Sequence, residues 1–267
     1  MPDRAPPPEV TLRGLTRAFG TGAGRLDALT AIDLTFAAGQ TTALVGPSGC
    51  GKSTILRLVA GLDTPTAGAV TIGGRTPAQV THDAGLAMAF QDAALLPWRT
   101  VRGNVGLALT LARRPADPAA VDRLIALVGL QGFEDHRPAE LSGGMRQRAA
   151  IARCMATEPG LLLLDEPFGA VDELTRIRLN EDLPRLWQRR GATALLVTHS
   201  VAEAVLLSDR VVVLSARPAR VVADIPIPLA HPRLRDATRS EGFHALVDRV
   251  STALWAGAAG DRSLAAE

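Results

Sequence analysis

The chain has 267 residues, 47% hydrophobic and 21% charged, enough to bury a sizeable core in one large domain or two modest ones. Its 29 basic and 27 acidic residues leave a formal net charge of +2, which excludes a phosphate-backbone binder as the default class while leaving room for a local basic patch. No run approaches the ~18 apolar residues of a spanning helix, Met1 to Val10 lacks an apolar leader core, and Cys50 and Cys154 lack metal-ligand spacing. These features point to a cytoplasmic chain without a disulfide framework.

In chain order, residues 1–8 read as a disordered lead-in. Val10, Leu12 and Leu15, then Ile32, Leu34 and Phe36, alternate as half-buried strands do, joined through the glycine-rich stretch Gly20 to Gly24. Thr41 to Val45 reads as a strand, a glycine-rich turn follows, and Ile55, Leu56, Leu58, Val59 and Leu62 recur at helical spacing. Ala69 to Ile72 and Gly85 to Phe90 read as further strands. From about residue 92 to 157 helical periodicity replaces strand patterning, over Val101 to Ala112, Val121 to Leu130 and Gly143 to Thr157. Leu161 to Leu164, Thr193 to Val197 and Val211 to Leu214 are continuous apolar runs of the buried parallel type, separated by helices. Pro184 is expected to kink or restart the helix of Asp172 to Arg190. Pro218 to Pro232 reads as a proline-rich connection to a last amphipathic helix around Phe243, Leu246, Val250 and Leu254.

Of the 29 basic residues 28 are arginine, and the single lysine is Lys52. It lies in Gly46-Pro47-Ser48-Gly49-Cys50-Gly51-Lys52-Ser53, followed by Thr54, which fits a nucleotide phosphate loop between a strand and a helix. Glycines let backbone amides turn toward a β-phosphate, and the following helix adds its positive end. Lys52 would reach the β- and γ-oxygens and the Ser53 hydroxyl would bind Mg²⁺. A compact ammonium suits this place better than a planar guanidinium, which explains why the coding preference for arginine breaks here.

Leu161 to Leu164 runs straight into Asp165-Glu166. In a phosphate-loop fold the aspartate at such a strand tip sits near Mg²⁺, and the adjacent glutamate orients or deprotonates the attacking water. His199, after the strand ending at Thr198, is a candidate γ-phosphate sensor.

Leu141-Ser142-Gly143-Gly144-Met145-Arg146-Gln147-Arg148 opens a helix with a serine and two glycines, a second anion-binding cap without a lysine. This segment resembles the signature motif of ATP-binding-cassette ATPases, and residues ~10 to 250 resemble that family in motif content and order. The resemblance implies an α/β fold with a P-loop NTPase (RecA-like) core, an N-terminal antiparallel β subdomain and an inserted α-helical subdomain. It places one domain over 9–257, with a core of 9–91 and 158–235, a helical signature subdomain of 92–157 and a C-terminal helix of 236–257, before a flexible tail of 258–267. It implies ATP and Mg²⁺ as ligands, with Gln91 as the Q-loop residue joining the metal and water site to the helical subdomain. Asp172 matches the D-loop aspartate and His199 the switch histidine. Phe19 stands where the family has an adenine-stacking tyrosine; its alternative is a place in the strand core. Cys50 and Cys154 read as packing residues.

The resemblance further implies a head-to-tail dimer, in which Ser142, Gly143 and Gly144 of one copy close over the nucleotide of the other. Membrane permease subunits and, indirectly, an extracytoplasmic solute-binding protein would be its partners, with no nucleic acid, and its place would be peripheral on the inner membrane face. Leu95-Leu96-Pro97-Trp98-Arg99-Thr100-Val101 with Asn104-Val105, Met145, and Arg217-Pro218 to Pro232-Arg233 are similar to the nitrate, sulfonate and taurine branch of import ATPases; importers of pyrimidine or thiamine precursors share much of the pattern. Leu95 to Trp98 would meet the permease, or else Trp98 would pack the helical subdomain. A soluble non-transport cassette ATPase is the competing class, and no long heptad insertion or second motif set supports it.

Overall fold

The structure, a computed structural model, describes residues 7–233 and 235–259. Its first sheet is antiparallel, with β1 (Val10–Phe19) between β2 (Leu26–Phe36) and β4 (Ala67–Ile72). Val10 faces Phe36 on one side and Ile72 on the other, which places the alternating apolar set on a single buried face. The second sheet runs β5 (Leu86–Ala89), β6 (Leu161–Asp165), β7 (Thr193–Val197), β3 (Thr41–Val45), β8 (Arg210–Leu214) and β9 (Val221–Pro226). All neighbours are parallel except the β8–β9 pair.

Continuous apolar runs in the parallel strands serve two cores at once. Ala43, Val45, Leu162, Leu164, Leu196 and Val213 point into one, and Leu44, Leu161, Leu163, Leu195, Val197 and Val212 into the other. The second core is closed by the antiparallel sheet and by α1 (Lys52–Val59), whose Ile55, Leu56 and Val59 are fully buried. The first is closed by the helices that follow, including α3 (Val101–Leu111), α4 (Pro118–Leu127) and α5 (Gly143–Ala156), which form the strand-free stretch expected after residue 92.

Four expectations are corrected. No restart occurs at Pro184: α6 (Glu173–Arg189) runs through it as one helix. An interior proline costs about 3 kcal/mol, but Leu179, Leu183 and Trp187 on the same helix are buried, each side chain stabilising by about 1.5–3 kcal/mol. The proline-rich connection holds β9, which hydrogen-bonds to β8 at the sheet edge, where Pro226 needs no donor. The C-terminal helix α8 spans Glu241–Ala259, starting later than 236 and continuing beyond 257; residues 260–267 lie outside the described residues. Of the lead-in, residues 1–6 lie outside them too, whereas Pro8 is packed and its carbonyl accepts a 2.7 Å hydrogen bond from Thr193 Oγ1. Between β4 and β5 stands α2 (Pro77–His82), and α7 (Val201–Leu207) joins β7 to β8. No described helix is long and apolar enough to cross a membrane.

Candidate active site

The loop from β3 to α1 needs glycine for backbone reasons. Gly49 and Gly51 have φ of +72° and +120°, and a Cβ on Gly51 would lie 2.8 Å from Leu29 Cδ2. A Cβ on Gly46 would meet Cys50 Sγ at 2.9 Å. Lys52, buried beneath the loop, donates from Nζ to Gly46 O and Pro47 O, both at 2.8 Å. Cys50 is buried as a packing residue, and so is Cys154.

At the tip of β6, Asp165 Oδ1 accepts a 2.9 Å hydrogen bond from Ser53 Oγ, so the first residues of α1 and the strand end share one polar point. Burial pushes the Asp165 carboxyl up from its ordinary value; the Ser53 bond works against this and the neighbouring Glu166 charge with it. Glu166 turns the chain with φ of +48°, and its N–H donates to Val197 O at 2.9 Å. That turn sends its carboxylate away from Asp165, where Oε2 accepts from Gln91 Nε2 at 3.2 Å and lies 3.5 Å from His199 Nδ1. Gln91, Glu166 and His199 come from three separate loops and meet at one oxygen.

Behind His199, Thr198 Oγ1 donates to Glu203 Oε2 and accepts from Ser200 N, which fixes the loop at the start of α7. Sequence patterning did not single out Glu203. Its signal was available: an acid three residues after Ser200, whose Oγ accepts from Glu203 N at the helix start.

Ser53, Gln91 and Glu166 line a cleft of about 360 Å³ together with Phe19, Ser48, Gly49, Lys52, Thr54 and Arg217, whereas His199 lies off it, in a recess that it lines with Thr198, Ser200 and Glu203 and that shares only Glu166 with the cleft. Phe19 is 39% exposed at its edge, with the Arg17 guanidinium 4.5 Å from the ring centre, so it is not a core residue. Ser142, Gly143, Gly144 and Asp172 do not line this cleft. Ser142 caps α5 by accepting from Met145 N, and Asp172 caps α6 by accepting from Thr175 N at 3.0 Å, a bond that holds its carboxyl below the ordinary value. Gly144 packs so closely on the turn after Glu166 that a Cβ there would lie 2.8 Å from Ala170 O.

α5 also grips the segment that carries Gln91. Gln147 Nε2 donates to Phe90 O at 3.2 Å, and Arg153 donates to Ala94 O and Ala93 O at 2.8 and 3.0 Å. Farther out, buried Asn104 accepts from Leu96 N and donates to the carbonyls of Leu96, Arg99 and Thr100. The turn so held presents Trp98 68% exposed, which excludes its packing into the helical block.

Residues 29–169 match the ABC transporter family. The chain is 47% identical over 227 residues to the aliphatic sulfonates import ATP-binding protein SsuB of Pseudomonas putida, covering 85% of this chain and 80% of that one. It is 46% identical over 230 residues to the nitrate import ATP-binding protein NrtC of Synechocystis, a span of 84% of this chain and 34% of that longer protein. The dimeric post-hydrolysis structure of the ATP-binding cassette MJ0796, bound to ADP and Pi, superimposes with a TM-score of 0.76 at 29% identity, covering 83% of this chain and all of that one. On a family match spanning more than half its length and on relatives of this identity, the chain belongs to the ABC transporter family, as one of its ATPase cassettes.

Proposed function

We propose that the chain is the ATP-hydrolysing subunit of an importer for a small anion, a sulfonate or nitrate being the class its named relatives serve. The observation that carries the catalytic reading is the Glu166 carboxylate, held between Gln91 and His199 at the edge of the phosphate-loop cleft. Gly46 to Thr54 bind the phosphates through loop amides and Lys52, and Phe19 stacks on the base. Glu166 orients the water that attacks the γ-phosphorus in line and takes up its proton as the bond to the ADP oxygen breaks. His199 and Gln91 position that carboxylate and support the charge that develops on the γ-oxygens.

The donor set suits Mg²⁺. Ser53 Oγ, Asp165 and Gln91 offer hard oxygen atoms, and no group of three His, Cys, Asp or Glu among the described residues forms a cage. Such a set fits an ion that keeps waters and takes phosphate oxygens as ligands. Bound there, Mg²⁺ would neutralise charge on the β- and γ-phosphates.

Residues 9–257 act as one cassette, with 92–157 as its helical arm. Because Ser142, Gly143, Gly144 and Asp172 stand off the chain's own cleft, a second copy in head-to-tail orientation supplies the matching cap; the MJ0796 cassette is dimeric. In this reading the exposed Trp98 turn meets a membrane permease fed by an extracytoplasmic binding protein, with the cassette at the inner membrane face; the exposure of Trp98 supports it.

Glu166→Gln tests the assignment. The amide keeps side-chain size and the positive φ already tolerated, so a fluorescent ATP analogue should bind as before while turnover falls at least ~100-fold. Undiminished hydrolysis would falsify the role of Glu166.

A further inference from the structure

We infer that Arg217 is a second cation for the phosphate chain of the nucleotide, a binding role that no motif assigns it; the inference rests on the nucleotide reading of the cleft. Sequence similarity marks Arg217-Pro218 only as a branch feature. In the structure Arg217 lines the cleft together with Gly49, Lys52 and Ser53. Its Nη2 lies 4.0 Å from the position a Cβ on Gly49 would occupy, beside the loop that receives the phosphates.

Three features make this guanidinium available. First, among the described residues Arg217 has no ion pair or hydrogen bond, so no carboxylate competes for it. Second, its backbone is held on both sides. Ala219 N donates to Ala28 O at 2.9 Å, Thr30 N donates to Ala219 O at 3.1 Å, and Arg220 N donates to Ser215 Oγ at 3.1 Å. The side chain is therefore launched from a fixed point at the cleft edge, which lowers the entropy lost on binding. Third, two donors of the Lys52 ammonium are already engaged by Gly46 O and Pro47 O, which leaves a polyphosphate short of cationic partners. A guanidinium offers a planar fork of five donors that matches two phosphate oxygens at once.

The experiment titrates the full chain with a fluorescent ADP and displaces that probe with ADP, ATP and adenosine, for the wild type, Arg217→Ala and Arg217→Lys. Loss of one charge-assisted bidentate contact should weaken ADP and ATP ~10-fold or more in Arg217→Ala. Adenosine affinity should stay as in the wild type, and Arg217→Lys should recover part of the loss. The defect should also shrink at high salt. Thermal midpoints should coincide, because among the described residues the exposed side chain makes no hydrogen bond or ion pair. Equal ADP affinity in wild type and Arg217→Ala overturns the proposal, as does an adenosine loss equal to that for ADP, which would put the guanidinium on the base. A wild type that fails to bind the probe overturns the nucleotide reading itself, and this proposal with it.

Discussion

Adding a methyl group at Gly144 measures how tightly α5 is docked on the turn that follows Glu166. A Cβ there falls 2.8 Å from Ala170 O and 3.4 Å from Val171 Cα, both backbone atoms that cannot rotate aside. An ordinary carbon–oxygen contact lies near 3.3–3.6 Å, so helix and turn must part by about 0.5 Å or more. The turn resists this, because Val171 is buried and its N–H donates to Phe168 O at 3.2 Å. Overpacking of this kind costs about 1–3 kcal/mol, against a gain of up to about 1 kcal/mol from replacing glycine in a helix. The net loss, up to about 3 kcal/mol and about 1 kcal/mol at mid-range cost with the full helix gain, lowers the thermal midpoint by up to roughly 12 °C in a chain of this size. Gly143→Ala is the internal control: the nearest atom to its Cβ is Arg146 Nη2 at 3.9 Å, the end of a flexible side chain. Unfolding followed by circular dichroism should therefore show Gly144→Ala well below the wild type and Gly143→Ala at or above it. Coincident midpoints for the two variants would refute the close-packing argument.

Two further outcomes follow from buried groups. Asp209 accepts from Thr41 N at 2.8 Å and lies 2.7 Å from His231 Nε2; burial raises its carboxyl pKa, but these two bonds together with the charges of His231 and Arg233 outweigh it and hold the group below its ordinary value. A depressed carboxyl contributes stability above its unfolded value of about 3.9, and that contribution is lost as pH falls through the folded value. Asp209→Asn should flatten the acid side of a urea-stability profile, and an unchanged acid side would remove Asp209 from the account. Cys50 is buried and burial pushes the Cys154 thiol up to about 12, so a thiol reagent should label neither in the native protein and both in denaturant. Rapid native labelling at either position would show that its packing is wrong.

What was legible in the sequence was local. The phosphate loop announces itself because a strand, its glycines and a helix are contiguous, and the acids at the end of β6 stand out because four leucines precede them. α2 carried a readable signal that periodicity missed, since Thr76 and Gln79 form a reciprocal cap with Pro77 at the first helical position. β9 was not legible: its pairing with β8 is a tertiary event, and the surrounding prolines read as a connection. The continuity of α6 depended on the burial of Trp187 and its neighbours, which propensity alone does not contain. Arg217 was visible as a residue but not as a site, because tertiary contacts, the pairing of β8 with β3 and the bonds of Ala219 to β2, bring its segment beside Gly49.

The same contacts indicate how the site is coupled to the helical arm. Gln91 belongs to a segment whose carbonyls at Phe90, Ala93 and Ala94 are all held by side chains of α5. Its side chain makes a single exposed hydrogen bond to Glu166, the proposed water-orienting residue. Three bonds, two of them from a partly buried guanidinium, outweigh one exposed bond, for which about 0.5–1.5 kcal/mol is typical. On this balance a displacement of α5 is expected to strain the Gln91–Glu166 contact before it releases Phe90 to Ala94, with β5, which ends at Ala89 and pairs with β6, anchoring the start of the segment to the core. Gly144 sets the opposite constraint, since it locks the start of α5 to Ala170, four residues after Glu166. α5 thus approaches Glu166 by two routes, one close-packed through the turn at Ala170 and one through the single hydrogen bond of Gln91. In the proposed mechanism, a force applied at the Trp98 turn, which Asn104 ties to α3, would reach Glu166 through the Gln91 hydrogen bond.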